Sequence, residues 1–247
     1  MTDGAGRLAL VTGASRGIGA ATAEALAAAG AHVILTGRTE AGLIEVDDRI
    51  AAAGEVTRAT GASPGGATIA PFDLKDGDAI DRLAVAVASR WGKLDVLVLN
   101  AARLGTLSPV PHIDIKEFDA VVALNLTANW RLLRAFDPLL RASAAGRVVV
   151  LTSSVATTAR AFWGTYAASK AALETLALTY GEEVRNTSAV RVAIVDPGAT
   201  ATTMRARAFP GEDPATIKAP GVVGAAIAAL LDRLWEPNAR IDLTHAG

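Results

Sequence analysis

A tyrosine and a lysine stand four residues apart in "GTYAASKAALETL", Tyr166 and Lys170, and two serines, Ser153 and Ser154, precede them by a short loop. On a helix, residues i and i+4 share one face, with β-carbons about 5–6 Å apart. A free phenol, with a pKa of about 10, is a poor base near neutrality. A neighbouring ammonium favours the phenolate and draws that value towards the operating range. A phenol so tuned can protonate the oxygen of a carbonyl, or take the proton of an alcohol. Each residue also has an ordinary reading. Tyr166 could be a core aromatic, Lys170 a solvated charge and Ser153 a helix cap. The elements around them decide.

The chain has 247 residues, 51% of them hydrophobic and 20% charged, which excludes global disorder and allows a sizeable core. Twenty-four basic residues nearly balance twenty-five acidic ones. That balance leaves no electrostatic footprint for nucleic acid or an anionic membrane surface. There is no cysteine, so disulfides, thiolate nucleophiles and cysteine-ligated zinc are excluded. His32, His112 and His245 are widely separated, which argues against a histidine metal site. No signal peptide is expected at the N-terminus, and no apolar run approaches the length of a membrane span. A soluble cytoplasmic protein is the plain expectation.

Short runs rich in Val, Ile and Leu alternate with longer, alanine-rich segments of helical period. The runs fall at 8–13, 32–37, 67–73, 94–101, 147–153 and 190–198. Their lack of polar alternation suits strands buried on both faces of a parallel sheet. Helices are predicted over 17–30, 39–54, 78–92, 115–143 and 164–186, with a last one over 221–235 and a short tail after it. The uninterrupted βα rhythm predicts an α/β fold: a doubly wound, Rossmann-type parallel sheet with helices on both faces, in one domain spanning 1–247. The Gly/Ser/Pro-rich stretch 59–68 fits a loop before the third strand.

"LALVTGASRGIGAATAEAL" sets a glycine-rich turn between the first strand and the first helix. Gly13 permits the tight turn, Gly17 lets the backbone approach a pyrophosphate, and Gly19 allows close helix–strand packing. Ser15, Arg16 and Ile18 complete the turn. The helix N-terminus presents free N–H groups and partial positive charge to phosphates. After the second strand comes Arg38, with no acid until Glu40. A carboxylate there would accept from a ribose 2′-OH and repel a 2′-phosphate. Arg16 and Arg38 suit the phosphate instead, although both could be solvated surface arginines.

The spacing T-G-x-x-x-G-x-G, Thr12 to Gly19, resembles that of the short-chain dehydrogenases/reductases, and the resemblance runs from Leu8 to about Thr203. It implies a hydride-transferring oxidoreductase that binds NADP(H) by preference, with NAD(H) possible. It implies that Ser153, thirteen residues before Tyr166, orients the substrate oxygen. Tyr166 would be the general acid/base, its pKa lowered by Lys170 and an oxidised nicotinamide. Lys170 would also bind the nicotinamide ribose, and Asn125 would hold a water in a proton relay. The same resemblance gives Asp73 to the adenine ring and Leu74 to a backbone contact. Asn100, Ala101 and Ala102 form the turn after the fourth strand. Pro197, Gly198, Thr200 and Thr202 would pass under the nicotinamide and hold its carboxamide. In "LNAA" Leu99 stands where the family has an asparagine and Ala102 where it has a glycine, which could narrow the cofactor site.

Residues 203–220 are expected to form a lid over the substrate, a carbonyl or alcohol compound, with Leu104 and Trp163 as apolar wall. Arg205 and Arg207 could meet an anionic substrate or simply be solvated. The resemblance also implies a homodimer or homotetramer built on the helices at 115–141 and 164–186. Trp130, Phe136, Leu173, Leu176 and Tyr180 could serve that interface or the core. The rival reading is a non-catalytic cofactor-binding regulatory protein on the same fold, for which Ala102 is the only support.

Overall fold

Seven parallel strands form one sheet in the computed structural model, which describes residues 6–59, 64–231, 233 and 235–245. In chain order they are β1 (Leu8–Thr12), β2 (His32–Gly37), β3 (Gly66–Pro71), β4 (Val96–Leu99), β5 (Arg147–Leu151), β6 (Arg191–Asp196) and β7 (Asn238–Asp242). Their order across the sheet is β3-β2-β1-β4-β5-β6-β7. The chain therefore winds outward from β1 in one direction, then returns to start β4 on its other side. That reversal opens a crevice beyond the strand ends, where ligands bind in such sheets.

Side chains alternate strictly between two faces, as a period of two requires. Leu8, Leu10, Leu97, Leu99, Val148, Val150, Val192 and Ile194 face one layer, packed against Leu132, Phe136 and Leu173. Ala9, Val11, Val96, Val98, Val149, Ala193 and Val195 face the other, against Leu26, Leu43, Val46, Val223 and Ile227. The first layer is α3 (Gly77–Trp91), α5 (Ala128–Ala142) and α6 (Gly164–Val184); the second is α1 (Gly17–Ala28), α2 (Glu40–Ala59) and α8 (Pro220–Leu230). Both faces are covered, which is why β4, β5 and β6 read as unbroken apolar runs.

The structure departs from the sequence reading in several places: α2 runs to Ala59, beyond the predicted end at 54, and residues 66–68 of the expected loop already belong to β3. The helix predicted over 115–143 is α4 (Ile115–Val122) and α5, joined by a π turn at Ala123–Thr127. Asn129 relieves the loosened turn by donating to the Leu124 and Asn125 carbonyls at 3.3 and 2.8 Å. The tail supplies β7, paired with β6 from Val192↔Asn238 to Asp196↔Asp242. The last helix stops at Leu230. Part of the segment expected as a lid is helical, α7 (Thr203–Ala208). Of the predicted loop at 59–68, residues 60–63 lie outside the described residues, as do 1–5, 232, 234, 246 and 247. Among the described residues no helix is long and apolar enough to cross a membrane.

Candidate active site

The crevice begins at the end of β1. Thr12 donates its hydroxyl to the Val98 carbonyl at 3.0 Å and accepts from the N–H groups of Asn100 and Ala101 at 2.9 and 3.0 Å. Asn100 returns a side-chain bond to the Thr12 carbonyl at 2.7 Å. The ends of β1 and β4 are thus bolted together, and the turns after them face each other.

Gly13 and Gly17 lie at φ 65° and 59°, in the left-handed region that favours glycine. At Gly19 a β-carbon would sit 2.3 Å from the Gly13 carbonyl oxygen and 2.5 Å from Asn100 Nδ2. Gly19 therefore packs beneath the turn and stays out of the cleft. No side chain caps α1, so its first N–H groups are left for a ligand. Ser15, Arg16, Ile18 and Arg38 line the same cleft. Both arginines are exposed, and neither has a carboxylate partner among the described residues.

The cleft continues past Leu74, Asn100, Ala101 and Ala102 to Ser153, Tyr166 and Lys170, enclosing about 870 Å³. Pro197, Gly198, Thr200 and Thr202 border it from beyond β6. Leu99, in the place of the family's asparagine, is fully buried in the core under α5 and leaves the cleft untouched; Ala102 does line it. Asp73 is not among the lining residues. Its carboxylate accepts from the Lys75 N–H at 3.0 Å and lies 3.5 Å from Lys75 Nζ.

Tyr166 and Lys170 lie one turn apart on the buried face of α6, 8% and 2% exposed. Lys170 Nζ donates to the Leu151 carbonyl at 2.7 Å and stands 5.9 Å from the centre of the Tyr166 ring. Burial lowers the Lys170 ammonium to about 8, and the charge of Glu174 opposes that shift. The phenol moves the other way from the sequence expectation. Burial, with the nearby charge of Asp196, pushes Tyr166 well above the usual tyrosine range. Burial and the Asp196 charge thus hold a neutral phenol.

Ser153 follows β5 in extended conformation, and Ser154 opens a short 3-10 turn behind it; both border the cleft. Asn125 is fully buried inside the π turn and does not border it. It accepts from the Arg103 N–H at 2.9 Å and donates to the Arg103 carbonyl and to Ser169 Oγ, each at 3.0 Å. It therefore braces the loop after β4 against α6. Thr202 caps α7 by accepting from the Arg205 N–H at 3.1 Å. Thr200 is buried, and its hydroxyl donates to the Gly198 carbonyl at 3.2 Å.

An apolar wall surrounds the phenol. Leu104, Val155 and Tyr166 pack with Ala102, Trp163, Met204 and Ala208. Trp163 meets Tyr166 edge-on at 5.9 Å and Phe209 at 5.7 Å, so the segment expected as a lid rests on the loop between serine and tyrosine. Arg205, partly exposed, grips Glu212 with two bonds of 2.5 Å. The sequence reading missed Glu174, buried on α6 one turn beyond Lys170. It accepts a short bond from the Thr152 hydroxyl and one of 2.7 Å from Arg240 Nη2. Its i+4 spacing from Lys170 was the available signal.

Residues 7–213 match the family described as short chain dehydrogenase. The chain is 37% identical over 214 residues, 87% of its length and 81% of the relative's, to the uncharacterized oxidoreductase YciK of Escherichia coli K12. A solved structure from Pseudomonas syringae, assigned as a short chain dehydrogenase, is 38% identical. It superposes with a TM-score of 0.87 over 96% of this chain and 94% of that one. Another, from Escherichia coli CFT073, carries the same assignment and is complexed with NADPH. It is 36% identical, with a TM-score of 0.84 over 96% of both chains.

Proposed function

The chain belongs to the short-chain dehydrogenase family, and on that footing we propose that it is an NADP(H)-dependent oxidoreductase acting on a carbonyl/alcohol pair, with Tyr166 as general acid/base. One observation carries this reading. Ser153, Tyr166 and Lys170 border one continuous cleft with the glycine turn, Arg16 and Arg38.

The residues present fit the coenzyme. The left-handed Gly13 and Gly17, the uncapped N-terminus of α1 and the small Ala101 and Ala102 leave backbone N–H groups and space where a pyrophosphate would lie. Arg16 and Arg38 would take the 2′-phosphate, and the Escherichia coli neighbour complexed with NADPH supports that preference over NAD(H). Lys170, Pro197, Gly198, Thr200 and Thr202 would hold the nicotinamide half. When bound, the coenzyme supplies or accepts the hydride.

The chain's own groups handle the proton. The neutral phenol of Tyr166 is the form needed to protonate a carbonyl oxygen, and Ser153 holds that oxygen in place. Proton loss leaves a phenolate, which the buried Lys170 ammonium stabilises across a medium of low dielectric. Leu104, Val155, Trp163 and the lid exclude water from the exchange. Asn125 serves by keeping the Arg103 loop and α6 in register.

We also propose a homodimer or homotetramer through α4, α5 and α6. Phe136 and Leu173 are fully buried within the subunit, so the exposed Trp130 and Phe118 would carry that contact. The test of function is consumption of NADPH with a panel of aldehydes and ketones, run beside Tyr166→Phe. Turnover by the wild type alone supports the reading. NADPH binding without turnover on any carbonyl favours the non-catalytic alternative.

A further inference from the structure

The substrate end of the cleft carries a cation that the proton-transfer chemistry does not use. Arg160 lies in the loop between Ser153 and Tyr166 and borders the cleft. Its guanidinium lies 5.7 Å from the Trp163 ring and 5.6 Å from the Phe209 ring. The two rings touch each other, so the cation sits where the loop meets the lid. Stacking of this kind holds a guanidinium by its faces and leaves its N–H edge for a planar anion.

The nearby charges do not neutralise it. Arg205 also stacks on Phe209, at 3.7 Å, but its fork is filled by Glu212. Arg103 is paired with Glu117 at 2.7 Å. Arg160 and Arg207 border the same space and have no carboxylate partner among the described residues. The backbone beside Arg160 is unusual as well. Phe162 has φ 73°, a left-handed conformation that a phenylalanine seldom adopts, and its carbonyl is held by the Ser108 N–H at 3.1 Å. Such constraint clusters at ligand sites. Here it turns the chain between Arg160 and Trp163.

These cations are separate from the pair proposed for the coenzyme. Arg38 follows β2 and Arg160 follows β5, three strand spacings away, or roughly 14 Å across the sheet. The phenol itself packs in an apolar cluster with Leu104, Trp163 and Met204, which border the same cleft as Arg160.

We propose that the substrate is an anionic carbonyl compound: an apolar segment bears the reacting carbonyl at Tyr166, and a carboxylate or similar anion at its far end is received by Arg160, with Arg207 beside it. This assignment rests on Tyr166 as the proton-transfer group. It predicts discrimination between an acid and its neutral ester that one exposed residue controls.

The test is calorimetric binding, with NADP⁺ present so that the aldehyde is not reduced. The probes are straight-chain aldehydes ending in a carboxylate, from short to long, each beside its methyl ester. At low ionic strength the wild type should bind the best acid about tenfold tighter than its ester, the worth of one charge-assisted hydrogen bond. Arg160→Gln should erase that preference and leave NADP⁺ affinity unchanged, while Arg160→Lys should keep part of it. Equal binding of acid and ester at every length, binding of neither, or a preference that survives Arg160→Gln would overturn the proposal. So would a loss of NADP⁺ affinity in Arg160→Gln, which would give the cation to the coenzyme. Acid-selective binding controlled by Arg160, with no NADPH consumed on any aldehyde, would instead sink the Tyr166 reading and leave the anion site standing.

Discussion

Lys170 donates its buried ammonium to the carbonyl of Leu151, 2.7 Å away, at the last residue of β5 before the serine-bearing turn. One bond thus ties the lysine of α6 to the strand that delivers Ser153. It also confines a charge where water does not reach.

Burial places the Lys170 pKa at about 8, below its ordinary 10.5. Between those values the unfolded chain binds more protons than the folded one, so stability rises with pH. The coenzyme-free protein should gain about 3 kcal/mol from this group as pH climbs through that window, with the cost of the buried charge felt in full below it. Thermal melts of wild type and Lys170→Met across the window read the effect. Parallel curves would mean that the ammonium is not confined as described.

Glu174 opposes the lowering of Lys170. Glu174→Gln should therefore move the alkaline fall of kcat/KM to lower pH. The groups facing this pair are Tyr166 on α6, Arg240 on β7 and Asp196 on β6. An unmoved limb with a merely lower rate would reduce Glu174 to a brace for Thr152.

Tyr166→Phe removes the transferable proton and little else from a buried ring. Turnover should fall roughly 10²–10⁴-fold, with NADPH affinity held within about twofold of wild type, a limit set by the loss of a single uncharged hydroxyl. A variant that keeps its kcat would strike out the acid/base assignment.

Gly19→Ala should destabilise the fold by about 1–3 kcal/mol, as overpacking does, because the new methyl meets the Gly13 carbonyl oxygen at 2.3 Å. Urea unfolding measures the loss. Unchanged stability would show that the turn yields freely.

Much of this was legible in the sequence because it is written in local signals. Buried parallel strands give apolar runs, a phosphate cradle needs glycines at fixed offsets, and Tyr166 and Lys170 are one helical turn apart. What stayed hidden depends on tertiary context. β7 reads "NARID", too polar for a buried strand, because it lies at a sheet edge and pairs with β6 alone. The π turn at Asn125 leaves no mark in the pattern, since its apolar residues keep helical spacing. Arg160 and Phe209 are far apart in sequence, so their meeting over Trp163 could not be read from either segment. The direction of the Tyr166 shift depends on burial, which composition does not report.

Arg38→Ala should weaken NADPH about tenfold or more while leaving NADH nearly unaffected, since a guanidinium–phosphate contact is lost only where the 2′-phosphate exists. Equal losses for both coenzymes would take Arg38 out of phosphate reading.

The most direct test of the central claim is a fluorescence titration of the purified protein with NADPH and, separately, with NADH. Saturable binding of NADPH, about tenfold or more tighter than NADH, is the predicted result. Binding of neither would contradict the account at its root, since the glycine turn, Arg16 and Arg38 would then frame a cleft that holds no dinucleotide.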